Sequence, residues 1–135
     1  MITSTIQIAS LINQMEQTSA KLIDGLQLVC DSDFNLKPSA KKWSIAQVVD
    51  HICLSNQSII KALVLDGMKV DRDPAERIGE LKEVFLDFTK TYESPSFIVP
   101  KKETYNRQEL MNDLLRSLQQ IHRLMYKTEL NVLIN

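Results

Sequence analysis

Glycine and proline are scarce in this chain, three and four among 135 residues, while hydrophobic residues make up 44%. That balance excludes a disordered chain and suits a compact helical one, long enough to bury roughly two-thirds of its unfolded surface as a single domain, 1–135. Cysteine is scarcer still. Cys30 and Cys53 are too few for a disulfide framework and form no C-x-x-C, so they read as reduced, partly buried thiols. Charge of one sign is also missing: 16 basic against 17 acidic residues leave −1. No basic excess points to a nucleic acid, no acidic tail to a basic partner, and no basic recognition helix to a helix-turn-helix regulator.

Long apolar runs are absent, none nearing the roughly 18 residues of a membrane span. The opening "MITSTIQIAS" has neither a cationic n-region nor a continuous apolar h-region. The expectation is a soluble cytoplasmic protein with no membrane contact. Strand alternation is missing beyond "SFIV", and there is no repeat or low-complexity segment. No Gly-rich phosphate loop, G-x-S-x-G elbow, H-x-x-x-H, H-x-x-H or H-E-x-x-H occurs, so no catalytic or cofactor-binding residue can be named.

Helical periodicity is present in their place. Between about residues 4 and 29, Ile8, Leu11, Ile12, Met15, Leu22, Ile23, Leu26 and Val29 recur at three- and four-residue steps. "CDSDFNLKPSAKK" breaks the pattern with residues that compete for backbone hydrogen bonds and with Pro38. Ser44 and Gln47 form an S-x-x-Q capping box, Trp43 can staple against Val48, and a helix from Ser44 should stop near Asp66-Gly67. Asp73, Pro74 and Glu76 predict a further helix start, with Ile78, Leu81, Phe85 and Phe88 at helical spacing up to about Tyr92. "ESPSFIVPKKE" reads as extended. Asn106 and Glu109 then cap a helix carrying Met111, Leu114, Leu115, Leu118, Ile121 and Met125 to near Thr128. The fold class is all-α and bundle-like.

Two histidines are the candidates for chemistry. His51 falls with Ser44, Ser55 and Ser58 on a shoulder of the second stripe, while Asn56 points at the core. His51 could be a metal ligand, a general base or a packed boundary residue. His122 shares a stripe with Leu115, Leu118 and Met125 and should point inward. Cys53, two residues from His51, lies on roughly the opposite helix face and cannot share an ion with it. Asp31, Asp33, Asp71 and Asp73 read as caps and solvated turns, and Lys37, Lys41 and Lys42 as surface charge.

"LKPSAKKWSIAQVVDHICLSN" combines a loop proline, a Trp-Ser helix cap and a histidine in the pattern W-S-x-x-x-x-x-x-H. It resembles the DinB/YfiT-like superfamily, as do the long helix before it and the connection "SPSFIVPKKETYNRQEL". The resemblance covers nearly the whole chain, its specific part being Pro38 to His51. It implies an up-down four-helix bundle, often dimeric. It also implies a divalent metal (Zn, Ni, Fe or Mn) held by three histidines, and in some relatives thiol-dependent transfer or isomerisation. His51 matches the first ligand position. The family's other two ligands come from an H-x-x-x-H on a last helix, and His122, followed by Met125 and Tyr126, cannot supply it.

The sequence therefore predicts a DinB-like bundle with an incomplete or substituted fourth helix and no complete metal site in this chain, serving in small-molecule binding or in structure. The alternative is a metal-dependent thiol transferase or hydrolase whose remaining ligands come from elsewhere. Because the segment at 74–92 offers only four core-grade side chains, a homo-oligomer, most simply a dimer, is expected to cover the bundle.

Overall fold

The computed structural model describes residues 2–65, 89 and 93–134. They form helices α1 (Ile2–Gln27), α2 (Asp31–Phe34), α3 (Ile45–Leu65) and α4 (Arg107–Ile134), with one 3-10 turn at Ser96–Ile98 and no strand among the described residues. The all-α bundle expected from the sequence is observed. The helix expected at 74–92, with Ile78, Leu81, Phe85 and Phe88, lies outside the described residues, as do Asp71, Asp73 and the Asp66-Gly67 stop.

α4 packs against both α1 and α3. Bonds at the helix ends give the directions. Arg107 reaches Leu26 while Tyr126 reaches Glu16, so α1 and α4 run antiparallel. Gln47 pairs with Lys102 and Asn56 with Ser117, so α3 and α4 run the same way.

The helix starts follow their capping residues. Ser44 N–H donates to Gln47 Oε1 at 3.0 Å and Gln47 N–H donates to Ser44 Oγ at 3.1 Å, the closed capping box. Glu109 N–H donates to Asn106 Oδ1 at 3.0 Å and opens α4. The ends depart slightly from expectation. α1 unwinds through tight bonds from Leu28 N–H to Gly25 O and from Val29 N–H to Leu26 O, each 3.2 Å, and so stops at Gln27. α4 continues past Thr128 to Ile134 because "KTELNVLI" contains no glycine or proline to end it.

Two further departures lie in segments read as irregular. α2 sits inside the break after α1 and drives Phe34 to 1% exposure. The segment expected to be fully extended turns once at Ser96–Ile98, because Ile98 N–H closes onto Pro95 O at 3.0 Å.

The main core joins Leu26, Phe34, Ala46, Val49, Cys53, Leu110 and Leu114. Each fully buried large side chain, such as Leu114 or Phe34, contributes about 1.5–3 kcal/mol. Further along the bundle Ile12, Ile60 and Ile121 are also buried. Between these groups one polar chain crosses from α3 to α4. Asn56 Nδ2 donates to Ser117 Oγ at 3.0 Å, and Ser117 Oγ donates to the Leu114 carbonyl at 2.9 Å. Asn56 points at the core, as its helical position required, and is satisfied there.

Candidate functional site

α3 presents three differently dressed faces. Ala46, Val49, Cys53, Asn56 and Ile60 form its buried line. Ile45, Val48, Val49 and Ile52 wall a cleft, and Gln47, Asp50 and His51 face residues 95–106. At about 100° per residue, His51 lies about half a turn round from the buried line. It is half-buried because a connecting segment and Trp43 cover it, rather than because it borders the bundle core.

His51 has two contacts. Its Nδ1 lies 2.8 Å from the Ile98 carbonyl, and its ring centroid lies 5.2 Å from that of Trp43 at a 47° tilt. A carbonyl oxygen can only accept, so Nδ1 carries the proton. In the neutral ring Nε2 then keeps its lone pair. This is the tautomer that a ligating histidine needs, and equally that of a histidine tying down a loop.

The same segment is held at several other points. Gln47, after closing the capping box with Oε1, donates from Nε2 to the Lys102 carbonyl at 3.1 Å. Asp50 Oδ2 accepts from Tyr105 Oη–H at 2.6 Å and from Lys101 N–H at 3.4 Å, and Lys102 N–H donates to Tyr105 Oη at 3.1 Å. Burial, with the bond to Asp50 second, pushes the Tyr105 phenol up to about 12. Asn35 meets Tyr105 twice: Nδ2 donates to its carbonyl at 3.0 Å, and Oδ1 accepts from its N–H at 2.9 Å.

Arg107 closes the seam. It donates to Asp31 Oδ1 at 2.8 Å and to the Leu26 carbonyl at 2.9 Å, with its guanidinium 5.0 Å from the Phe34 ring centre. One side chain thus fastens the C-terminal end of α1, the first turn of α2 and the start of α4. Asp31 is an ion-pair partner rather than a bare turn residue, and Lys37 likewise pairs with Glu103 at 3.5 Å. None of these long-range partnerships was visible in the sequence, since the partners lie 47 to 81 positions apart and several are backbone carbonyls, which carry no side-chain signature.

The other candidates lie apart from His51. Cys53 is in the core, where burial first, and then the charges of Asp50 and Asp113, push its thiol up to about 12. It stays a thiol at neutral pH. Cys30 is exposed and donates to Asp33 Oδ2 at 3.1 Å. His122 is half-buried on α4, its Nε2 buried with no partner among the described residues, in a pocket also lined by Ser19, Asp24 and Gln119. Among the described residues no group of three or more histidine, cysteine, aspartate or glutamate side chains is arranged to hold an ion. His51 therefore meets no set of donors there that would fit a three-ligand metal centre.

An opening lies on the cleft face of α3. A cavity of about 450 Å³ runs between α1, the 33–43 segment and α3. Its lining is apolar (Leu22, Leu26, Trp43, Val48 and Ile52 among others) apart from Asp33. The two staple residues expected at the head of α3, Trp43 and Val48, both line it, and they stay 36% and 42% exposed. Helical periodicity places Ile45 and Ile52 on the apolar face of the helix. It could not show that they wall an open cleft instead of a closed core.

An all-α bundle whose third helix opens on a Trp-Ser cap and carries a histidine two turns on is the class that this fold and face define. The chain belongs to the DinB superfamily, whose family model matches residues 12–129. No curated protein and no solved structure matches it. No helix among the described residues is long and apolar enough to cross a membrane.

Proposed function

We propose that this DinB-superfamily bundle binds a small apolar molecule in the cleft beside α3 and performs no catalysis with its own side chains. The cleft carries the reading. Its volume of about 450 Å³ falls in the range of small-molecule sites, and its walls come from three elements of the fold. The candidate chemistry supports the same reading: burial keeps Cys53 a thiol, and His51 Nδ1 is bonded to a backbone carbonyl. Trp43, the only tryptophan in the chain, lines the cleft and reports on its occupant. Titration with 1-octanol should change its fluorescence saturably, and Val48→Phe, which narrows the cleft, should weaken the binding. An emission unaffected by millimolar octanol would refute the reading.

One observation favours a second reading. The bond from His51 Nδ1–H to the Ile98 carbonyl orients the ring and, in the neutral tautomer, leaves the Nε2 lone pair available to a metal ion. In this reading the remaining donors come from outside the described residues or from a second chain, and the protein is a metal-dependent transferase or hydrolase of the DinB type. Elemental analysis of protein purified without added metal tests it. Near-stoichiometric metal lost in His51→Ala would favour this reading over the first. A homodimer belongs to either reading. Its support is the exposed apolar surface at Leu28, Leu36 and Val64, and light scattering at micromolar concentration tests it.

A further inference from the structure

The cleft beside α3 has one charged residue in its lining, Asp33, among Leu22, Leu26, Leu36, Pro38, Trp43, Ile45, Val48, Val49 and Ile52. The position of that charge selects among apolar ligands. Asp33 belongs to α2, the single turn that also buries Phe34 in the core, so its backbone is held against the bundle. Its carboxylate accepts a hydrogen bond from the Cys30 thiol at 3.1 Å, a neutral donor that leaves the negative charge uncompensated. Two cationic side chains of this part of the fold are held by other partners. Arg107 is taken by Asp31, the Leu26 carbonyl and Phe34, and Lys37 by Glu103. An apolar wall with an exposed carboxylate at one place, which has no cationic partner among the described residues, is complementary to a molecule with an apolar body and one cationic end. The indole of Trp43 on the same lining adds a surface that attracts a cation.

We infer that the ligand class of this cleft is the hydrophobic amine: an aliphatic or aromatic body seated against Leu22, Leu26, Val48 and Ile52, its ammonium group paired with Asp33. The assignment rests on the small-molecule reading given above and adds the charge of the ligand to it. A neutral molecule of the same length gains only the apolar burial. A carboxylate of that length meets Asp33 as a like charge and is disfavoured.

Three probes with one chain and three head groups test this: octylamine, 1-octanol and octanoate, each titrated at pH 7 into the full chain with Trp43 emission as readout. Octylamine, protonated at that pH, should bind about five- to tenfold more tightly than octanol, and octanoate most weakly. Asp33→Asn should bring the ratio of amine to octanol affinity close to one. Thermal melting alongside establishes that this variant remains folded. Added salt should weaken the amine and leave the alcohol unaffected. Equal affinities for amine and alcohol, or a preference that survives in Asp33→Asn, would overturn the inference while small-molecule binding stands. No response to any of the three probes would overturn both.

Discussion

The two sides of α3 differ in kind. On one, Gln47, Asp50 and His51 each reach a specific atom of residues 95–106, and polar groups meet at 2.6–3.4 Å. On the other, Ile45, Val48 and Ile52 face a cleft and stay partly open to solvent. The polar side is the closed one and the apolar side the open one, the reverse of the usual expectation for an amphipathic helix. A directional bond fixes a partner whose position the chain already sets. An apolar wall fixes only the character of what lies against it. The first suits a structural joint, and the second a site that accepts a visitor.

The largest effect on this contrast should come from Arg107, at the end of the polar seam. Arg107→Ala loses a charge-assisted bond to the Leu26 carbonyl and the face of Phe34, and should cost about 2–3 kcal/mol in chemical denaturation. The pair with Asp31 adds little to that, because the carboxylate is 93% exposed. Arg107→Lys should recover less than half, since an ammonium lacks the fork that serves Asp31 and Leu26 together. A neutral Arg107→Ala would mean that the seam is not a structural joint.

Gln47→Glu comes next, at about 2 kcal/mol. Glutamate is as good as glutamine in an ordinary capping box, but here it would set a carboxylate against the Lys102 carbonyl in place of the Nε2 donor. Equal melting temperatures for the two proteins would break the assignment of two roles to Gln47.

A paired test across the helix is finer. His51→Ala should cost about 1 kcal/mol through the lost bond to Ile98, whereas Val48→Ala, at 42% exposure, should cost under about 0.5 kcal/mol. The opposite order would identify the cleft side as the joint.

The smallest effect should appear in alkali. The Tyr105 phenol has its folded value raised to about 12 from 10, so the folded state keeps a proton that the unfolded chain gives up. The stabilisation is complete below pH 10 and is lost as pH rises towards 12. Tyr105→Phe should therefore show a shallower fall in stability across that window. An identical slope in both proteins would remove Tyr105 from the seam's energetics.

Much of this organisation was legible in the sequence, and for local reasons. Ser44 with Gln47, and Asn106 with Glu109, declare helix starts within four residues, and the apolar stripes of α1, α3 and α4 repeat often enough to be read. Phe34 was not legible, because a four-residue helix holds too little periodicity to mark an inward face. Nor were the partners of His51 and Gln47, since the carbonyls of Ile98 and Lys102 carry no residue identity. The family resemblance reached His51 as a position of interest. The cleft beside α3 emerged only when α1, α2 and α3 were brought together.

The polar seam also bears on the order in which the molecule assembles. Its bonds join residues 47 to 81 positions apart, so none can form until long loops have closed and residues 95–107 have arrived. During synthesis α3 leaves the ribosome well before its covering segment. The face that waits is the one bearing an amide, a carboxylate and an imidazole, which water solvates well in the meantime. If the seam sets late, substitutions there should speed unfolding more than they slow folding.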